Sequence, residues 1–426
     1  MPDRRRIVGA GLAAVGGGLA LGAPDAALAA PGVDGDPAWQ DYLKVIEAAR
    51  SRALASRWAQ TPMNRAQAMY YISMLQAFGF NLYMAPRQAY PTFYSHLIFT
   101  PVEYNWGAPS PDFRYHWTAI DGARTYRIWG QRGKTNWLDI QAQRGWWGDA
   151  DQSNLGNWDV DGFELGKDGS FEIIASATPH AGNWMKLDPQ AHNICLLVRD
   201  IWDDWDQAEG ASIHIELLDR RPTDTIFLDA EEIGRRLGKI AYQTSYSVDW
   251  YLGSLDRILD GAGGFNRFYM PGASPTNLGG NPRAAYVHMI YDLKPDEALI
   301  IETEVPRARY WSLQLADNFY QTVDYRFHQA SLNDKQVRLD ADGRARLVLS
   351  PRDPGVPNWV DPAGLLQGMA TWRWYLSDRF PVPAVTRVPY SEVRRHLPSD
   401  TPLVSAQQRA ERLAWRCREV GRRFGV

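Results

Sequence analysis

The 426-residue chain is long enough for two or three domains and a sizeable hydrophobic core. Its 46 basic and 49 acidic residues leave a formal charge of -3, which excludes a chain-wide attraction to nucleic acid or to anionic membrane. The 2 cysteines give no zinc-type spacing, whereas 18 Trp and 20 Tyr supply many stacking surfaces.

Residues 1–29 read as a signal peptide. Arg4-Arg5-Arg6 precedes an apolar Gly/Ala-rich run from Gly9 to Leu21, and Ala27-Leu28-Ala29 offers small residues for cleavage. The run is short of the roughly 20 apolar residues that span a bilayer, so no membrane span is expected after processing. Paired arginines ahead of it point to twin-arginine export, with its machinery as a partner and a periplasmic or secreted location. An ordinary secretory signal with a basic start is the rival reading.

Residues 30–82 predict a helical pair. Asp36-Pro37 and Thr61-Pro62 are start signals, apolar residues from Trp39 to Trp58 and from Met69 to Phe78 recur at helical spacing, and Gly79 is a stop. Residues 83–112, rich in Pro and aromatics, read as an ordered connection over a core. Residues 113–218 carry short alternating runs separated by turn signals such as Asp121-Gly122 and Asp168-Gly169, which predicts a first β-sandwich. Residues 219–282 hold a long helix behind Asp229 and a Gly/Pro/Asn-rich linker. Residues 283–389 repeat the strand pattern, and residues 390–426 return to helix with a capping box at Ser405. The arginines near that last helix, Arg412, Arg416, Arg418, Arg422 and Arg423, read as a solvated face. The fold class is mainly β with helical additions: two tandem jelly-roll-like β-sandwiches plus N-terminal, central and C-terminal helices.

The two β-regions share landmarks. Trp137 precedes Asp168-Gly169 by 31 residues, and Trp311 precedes Asp342-Gly343 by 31. Asn183-Trp184 and Asn358-Trp359 follow, then Arg199 and Arg373, at separations matching to within one residue. Four landmarks in register indicate an internal repeat. His116 and His288 open the two regions at similar distances, but His-x-His is absent, and a lone strand histidine reads as structural.

No nucleophile elbow, phosphate loop, HExxH or CxxC motif is present. Asp200, Asp203, Asp204, Asp206 and Glu209 could hold Mg or Ca through oxygen ligands, although their spacing is not that of an EF-hand loop and a solvated loop explains them as well. Cys195 and Cys417 could pair or remain two thiols. Indoles in polar, loop-like company (Trp106, Trp146-Trp147, Trp158, Trp184, Trp202, Trp205, Trp359) pack on a core or line a cleft. In the second β-region Arg309, Trp311, Gln314, Asn318, Tyr325, Asn358, Trp359 and Arg373 combine a guanidinium fork, aromatic faces and amide groups, which suits a binding cleft.

The run Tyr310-Trp311-Ser312-Leu313-Gln314-Leu315-Ala316-Asp317-Asn318, with Ser331-Leu332-Asn333, Asp342-Gly343, Asp353-Pro354-Gly355-Val356-Pro357-Asn358-Trp359 and Arg373, resembles the DUF1214 family of bacterial proteins. The first β-region, with Tyr126-Arg127-Ile128-Trp129-Gly130 and Asn183-Trp184, looks like the DUF1254-type domain often found alongside it. The resemblance implies tandem sandwiches with appended helices and specifies no reaction. Relatives carry Gly-His soon after Asn-Trp; here Gly364 is followed by Leu365, so a role for that histidine does not carry over.

The resulting expectation is an exported protein that binds, or transforms, a small or oligomeric organic ligand in an aromatic-lined cleft. Trp311, Gln314, Tyr325, Asn358, Trp359 and Arg373 are the expected ligand-binding residues, with Arg373 meeting an anion. Catalytic residues and cofactor are unknown, and no metal ligand is assigned. A divalent-metal hydrolase and a structural or assembly protein are the alternatives, and a homo-oligomer is compatible with any of them.

Overall fold

The computed structural model describes residues 37–94, 105–207, 209–272, 276 and 279–425. The expected signal peptide at 1–29 and part of the 83–112 connection lie outside these residues. Helices α1 (Pro37–Ala55) and α2 (Pro62–Gly79) come first. The Thr61 hydroxyl caps α2 by accepting the Asn64 N–H, and Pro62 takes the first helical position.

The first sandwich follows, with β1 (Phe113–Ile120), β2 (Tyr126–Gln131), β3 (Trp137–Arg144), β4 (Ser153–Asp159), β5 (Ser170–Ser176), β6 (Trp184–Lys186), β7 (Ile194–Ile201) and β8 (Ser212–Leu217). Its sheets run β1-β7-β3-β4 and β6-β5-β2-β8. Helix α3 (Ala230–Ala262) leads to the second sandwich: β9 (Ala284–Asp292), β10 (Glu297–Thr303), β11 (Ala308–Ala316), β12 (Ser331–Asn333), β13 (Ala345–Leu349), β14 (Trp359–Val360), β15 (Gln367–Ser377) and β16 (Ala384–Pro389). These sheets run β12-β11-β15-β9 and β14-β13-β10-β16. Read from the opposite edge, the second sandwich has the strand order of the first. The chain is mainly β with helical additions, in two sheet-pair domains.

The repeated Asn-Trp loop does the same structural job twice. Asn183 donates to the Glu164 and Glu172 carbonyls at 2.8 and 3.0 Å and accepts the Glu164 N–H at 2.8 Å. Asn358 donates to the Arg338 and Arg346 carbonyls at 2.7 and 2.9 Å and accepts the Arg338 N–H at 2.9 Å. The following indoles donate to Ser176 O at 3.1 Å and Ser350 O at 2.9 Å. Each asparagine satisfies backbone groups that no strand partner reaches, which steers its loop into a short parallel pairing, β5 with β6 and β13 with β14. Gly169 and Gly343 sit at φ +80° and +77°, so the same glycine-demanding turn recurs in both copies.

Each sandwich has its own core, the first around Ile128, Ile140 and Leu196 and the second around Leu299, Trp311 and Trp372. A third apolar layer joins the outward faces of sheets β1-β7-β3-β4 and β12-β11-β15-β9 to α1, α2 and α3. Phe113 meets Tyr310 and Tyr375 there, with ring centroids 5.4 and 5.5 Å apart. Both sheets are thus covered on both faces, and Ile194–Ile201 is buried at every residue. That explains why β7 reads as a near-continuous apolar run rather than an alternation. Each large side chain so buried contributes about 1.5–3 kcal/mol.

Helix α4 (Ala406–Phe424) starts with the expected Ser405/Gln408 capping box. Its arginines correct the solvated-face expectation: Arg409, Arg416 and Arg423 are buried. Arg416 donates to Tyr325 O at 3.1 Å and Ser331 Oγ at 2.9 Å, and Arg416 and Arg423 lie 4.5 and 4.0 Å from the Trp205 ring. A planar guanidinium can stack on an indole while its edge serves carbonyls, which a lysine could not do. Burial pushes the Arg416 guanidinium down to about 9, with the neighbouring Arg412 charge adding to the effect. Through Trp415 to Asp206 (2.7 Å) and Arg409 to Asp353 (2.8 Å), α4 ties the first sandwich to the second. Cys195 and Cys417 are free thiols.

Candidate functional site

A cavity of about 280 Å³ opens in the layer between the two sandwiches. The first sandwich contributes Tyr115, Leu197 and Arg199, and the second Tyr286, His288, Thr371, Arg373 and Tyr375. Trp250, Tyr251, Ser254 and Arg257 come from α3, and Trp106, Trp146 and Trp147 from loops. Among the described residues no Asp or Glu lines it.

Strand register explains the two sheet walls. Tyr115 pairs with Arg199 across β1 and β7, and Tyr286 pairs with Arg373 across β9 and β15. One step along, Trp117 faces Leu197 and His288 faces Thr371. The two walls are therefore equivalent patches of the duplicated sheet, turned toward one another.

Their electrostatics differ. Arg199 donates to Asp139 Oδ2 at 3.1 Å and Gln141 Oε1 at 2.8 Å, and also to the Gly279 carbonyl. Burial pushes the Asp139 carboxyl up to about 6 against the pull of Arg199 and Arg283. Arg373 is 6% exposed and forms no ion pair among the described residues. Its Nη2 donates to Ala108 O at 2.7 Å, and its Nη1 is buried without a partner. Beside it, the His288 imidazole is held down to about 3 by burial and by the Arg373 charge, so it is neutral at physiological pH. His288 Nδ1 lies 3.1 Å from Thr371 Oγ1. Ala108 and Tyr320, both at the cavity, hold left-handed backbone at φ +51° and +57°, and the Ala108 N–H donates to Tyr320 O at 2.6 Å. Non-glycine residues in that region cost about 1–3 kcal/mol each and persist where surrounding contacts impose them.

Of the expected ligand-binding residues, only Arg373 lines this cavity. Trp311 points into the second sandwich and stacks on Trp372 with centroids 5.3 Å apart. Gln314 is fully buried and donates to the Ala108 and Pro109 carbonyls. Tyr325 packs against Val420 and Phe424 of α4. Asn358 fastens its loop, and Trp359 donates to Ser350 O with the Arg409 guanidinium 5.1 Å from its ring. The physical reason for the Trp311 error is one residue of register. Tyr310 pairs with Tyr375 and Trp137 with Ile201, so Trp137 corresponds to Tyr310, and Trp311 to the inward Leu138. A one-residue slip moves a side chain to the other face of its sheet. His116 and His288 are displaced in the same way, since Trp117 is the counterpart of His288.

Three of the loop indoles, Trp106, Trp146 and Trp147, do line the cavity. Tyr286 and His288, the latter read in the sequence as a structural strand histidine, also line it; Tyr286-Val287-His288-Met289 alternates, with Val287 and Met289 in the second core. The residues from Asp200 to Glu209 are spent on separate contacts: Asp200 with Arg114 at 2.8 Å, Asp203 with Asn136 at 2.6 Å, Asp206 with Trp415, and Glu209 with Lys134 at 3.0 Å. Among the described residues no group of three or more His, Cys, Asp or Glu side chains could hold a metal ion. Among them, too, no helix is long and apolar enough to cross a membrane.

Residues 292–378 match the family model for DUF1214, described as a protein of unknown function. The crystal structure of an uncharacterized protein from Burkholderia cenocepacia is 28% identical, covers 84% of this chain and 98% of its own, and superposes with a TM-score of 0.76. A protein from Vibrio parahaemolyticus is 14% identical over 81% of this chain and 100% of its own, with a TM-score of 0.44. No curated protein matches the sequence. The DUF1214 match thus falls on the second sandwich, and the tandem arrangement of the chain is like that of the Burkholderia protein.

Proposed function

We propose that this is an exported binding protein whose cavity between the sandwiches takes one small organic molecule with a flat apolar body. The observation that carries the reading is the wall of that cavity: four Trp and five Tyr, with a few polar groups set among them. Ligand sites are typically concave, largely apolar and fixed in orientation by a small number of polar groups. A volume of about 280 Å³ suits a single metabolite-sized ligand rather than a glycan chain or another oligomer. Export rests on the arginine-led apolar segment at residues 4–29.

The test is an intrinsic-fluorescence titration of the purified protein against a set of aromatic and aliphatic metabolites. Ser254→Phe, which places a ring at a cavity-lining position of α3, serves as the blocked variant. The expected result is saturable quenching with micromolar affinity in the wild type and at least tenfold weaker binding in the variant. No saturable ligand, or affinity unchanged by filling the cavity, overturns the reading.

A further inference from the structure

We infer that the cavity is built for an organic monoanion, a carboxylate whose charged end is received by Arg373 and whose apolar body lies toward the first sandwich. This rests on the binding reading above and adds the ligand class and its direction.

The argument is a comparison of two arginines made equivalent by the duplication. Arg199 and Arg373 occupy the same register, each opposite a tyrosine and each lining the cavity. On the strand beyond, Arg199 faces Asp139, and Arg373 faces Ser312. The carboxylate that neutralises the first guanidinium thus has a hydroxyl as its counterpart in the second. The Ser312 hydroxyl meanwhile accepts the Tyr310 hydroxyl at 2.7 Å. Gln141 gives its carbonyl oxygen to Arg199; its counterpart Gln314 gives its amide nitrogen to the Ala108 and Pro109 carbonyls. Arg373 is left with one carbonyl, an unpartnered Nη1 and no counter-ion.

A buried cation persists only where something compensates it. Among the described residues the cavity beside Arg373 has no carboxylate in its wall, so the compensation we infer is an anion from outside. One uncompensated buried guanidinium matches one negative charge, and its planar edge suits a carboxylate. His288 adds a neutral imidazole on the same patch rather than a second cation, and Arg257, the remaining guanidinium of the cavity wall, is exposed to water on α3. Leu197 stands where the second sandwich has Thr371, which makes the opposite wall the apolar one. These differences give the ligand one orientation.

The test pairs acids with their amides, which match in size and differ in charge: 2-naphthoate, phenylacetate and octanoate against the corresponding carboxamides. Binding is read by calorimetry and thermal shift at pH 7 on the purified protein. At least one acid is expected to bind tenfold or more tighter than its amide. Arg373→Gln is expected to bring acid and amide to the same affinity. Ser312→Asp, which supplies the carboxylate the first sandwich already has, is expected to do likewise while amide binding persists. Should both variants fail to fold, the acid–amide ratio in the wild type and in Arg373→Lys decides. Equal binding of acid and amide by the wild type, or discrimination retained in folded Arg373→Gln, overturns the anion inference and leaves the binding reading standing. Binding of neither class overturns both.

Discussion

The two sandwiches share strand order, the Asn-Trp fastener and the glycine turn, yet they treat one arginine in opposite ways. In the first, Arg199 is locked to Asp139 and Gln141 and serves the fold. In the second, Arg373 faces Ser312, donates to the Ala108 carbonyl and lies 5.7 Å from the Tyr286 ring, with no ion pair among the described residues. The difference teaches that duplication copies the scaffold and its loop chemistry, while a single position on the neighbouring strand decides whether a buried charge is structural or available. Replacing a counter-ion by a hydroxyl leaves a guanidinium without its ion pair and does not alter a strand.

The largest effect should come from erasing that difference on the structural side. Asp139→Ala strips Arg199 of its carboxylate and also removes the acceptor of the Asn281 amide. Breaking a buried pair this way costs about 3–5 kcal/mol. Ser312→Ala, at the equivalent position, removes no ion pair and is expected to cost about 1 kcal/mol through the lost Tyr310 hydrogen bond. Urea denaturation of the two variants checks both figures. Comparable losses would show that Asp139 carries no special electrostatic load.

A middle-sized effect should separate the two fasteners. Asn358 is 6% exposed and bridges β13 to the loop at Arg338, so Asn358→Ala leaves two carbonyls and an N–H short of partners in a buried setting. The expected loss is about 2–3 kcal/mol. Asn183 makes the same three bonds from a more exposed position, where water can replace them, and Asn183→Ala should cost about 1 kcal/mol. Denaturation midpoints give the comparison directly; an equal or reversed order would mean that burial is not what sets the value of this loop.

Much of this scaffold was legible in the sequence, and the reason is locality. Asp-Gly turns, helix caps and Asn-Trp loops are specified by a few adjacent residues, so their spacing revealed both the strands and the repeat. Arg373 was named from its guanidinium fork, and it does line the cavity. The rest of the cavity was not, for two physical reasons. Its walls come from β1, β7, β9, β15, α3 and four loops, and no sequence period connects Trp106, Trp147, Tyr286 and Trp250. Matching Trp137 to Trp311 by residue type also hid a one-residue offset, and in a strand that offset exchanges the sandwich core for the layer between the sandwiches. Arg416 and Arg423 were misread because a helix with many arginines looks the same in sequence whether water or Trp205 lies against it.

The smallest effect is a pH dependence, and it again separates the two halves. Burial pushes Asp139 up to about 6 in the first sandwich and Asp317 up to about 6 in the second, and Asp334 up to about 7 with Asp203 and Asp112 nearby. An unfolded aspartate titrates near 4, so between about 4 and 6 these three carboxyls hold more protons in the folded chain than in the unfolded one; His288, held at about 3, offsets one of them, and stability rises as pH falls. Asp224, Glu232 and Asp342 act oppositely: arginines hold each at about 2, and their stabilisation disappears as pH drops below about 4. The melting temperature is therefore expected to be higher near pH 5 than at pH 8, by roughly 2–4 °C for each kcal/mol gained, and to collapse below about pH 4. Asp139→Asn should flatten the rise, since an amide cannot titrate, whereas Ser312→Ala leaves it intact because no proton is exchanged at that position. A melting temperature that falls steadily from pH 8 to pH 5 in the wild type would falsify the assignment of raised carboxyls. A rise that survives Asp139→Asn unchanged would instead locate it in the second sandwich, at Asp317 and Asp334.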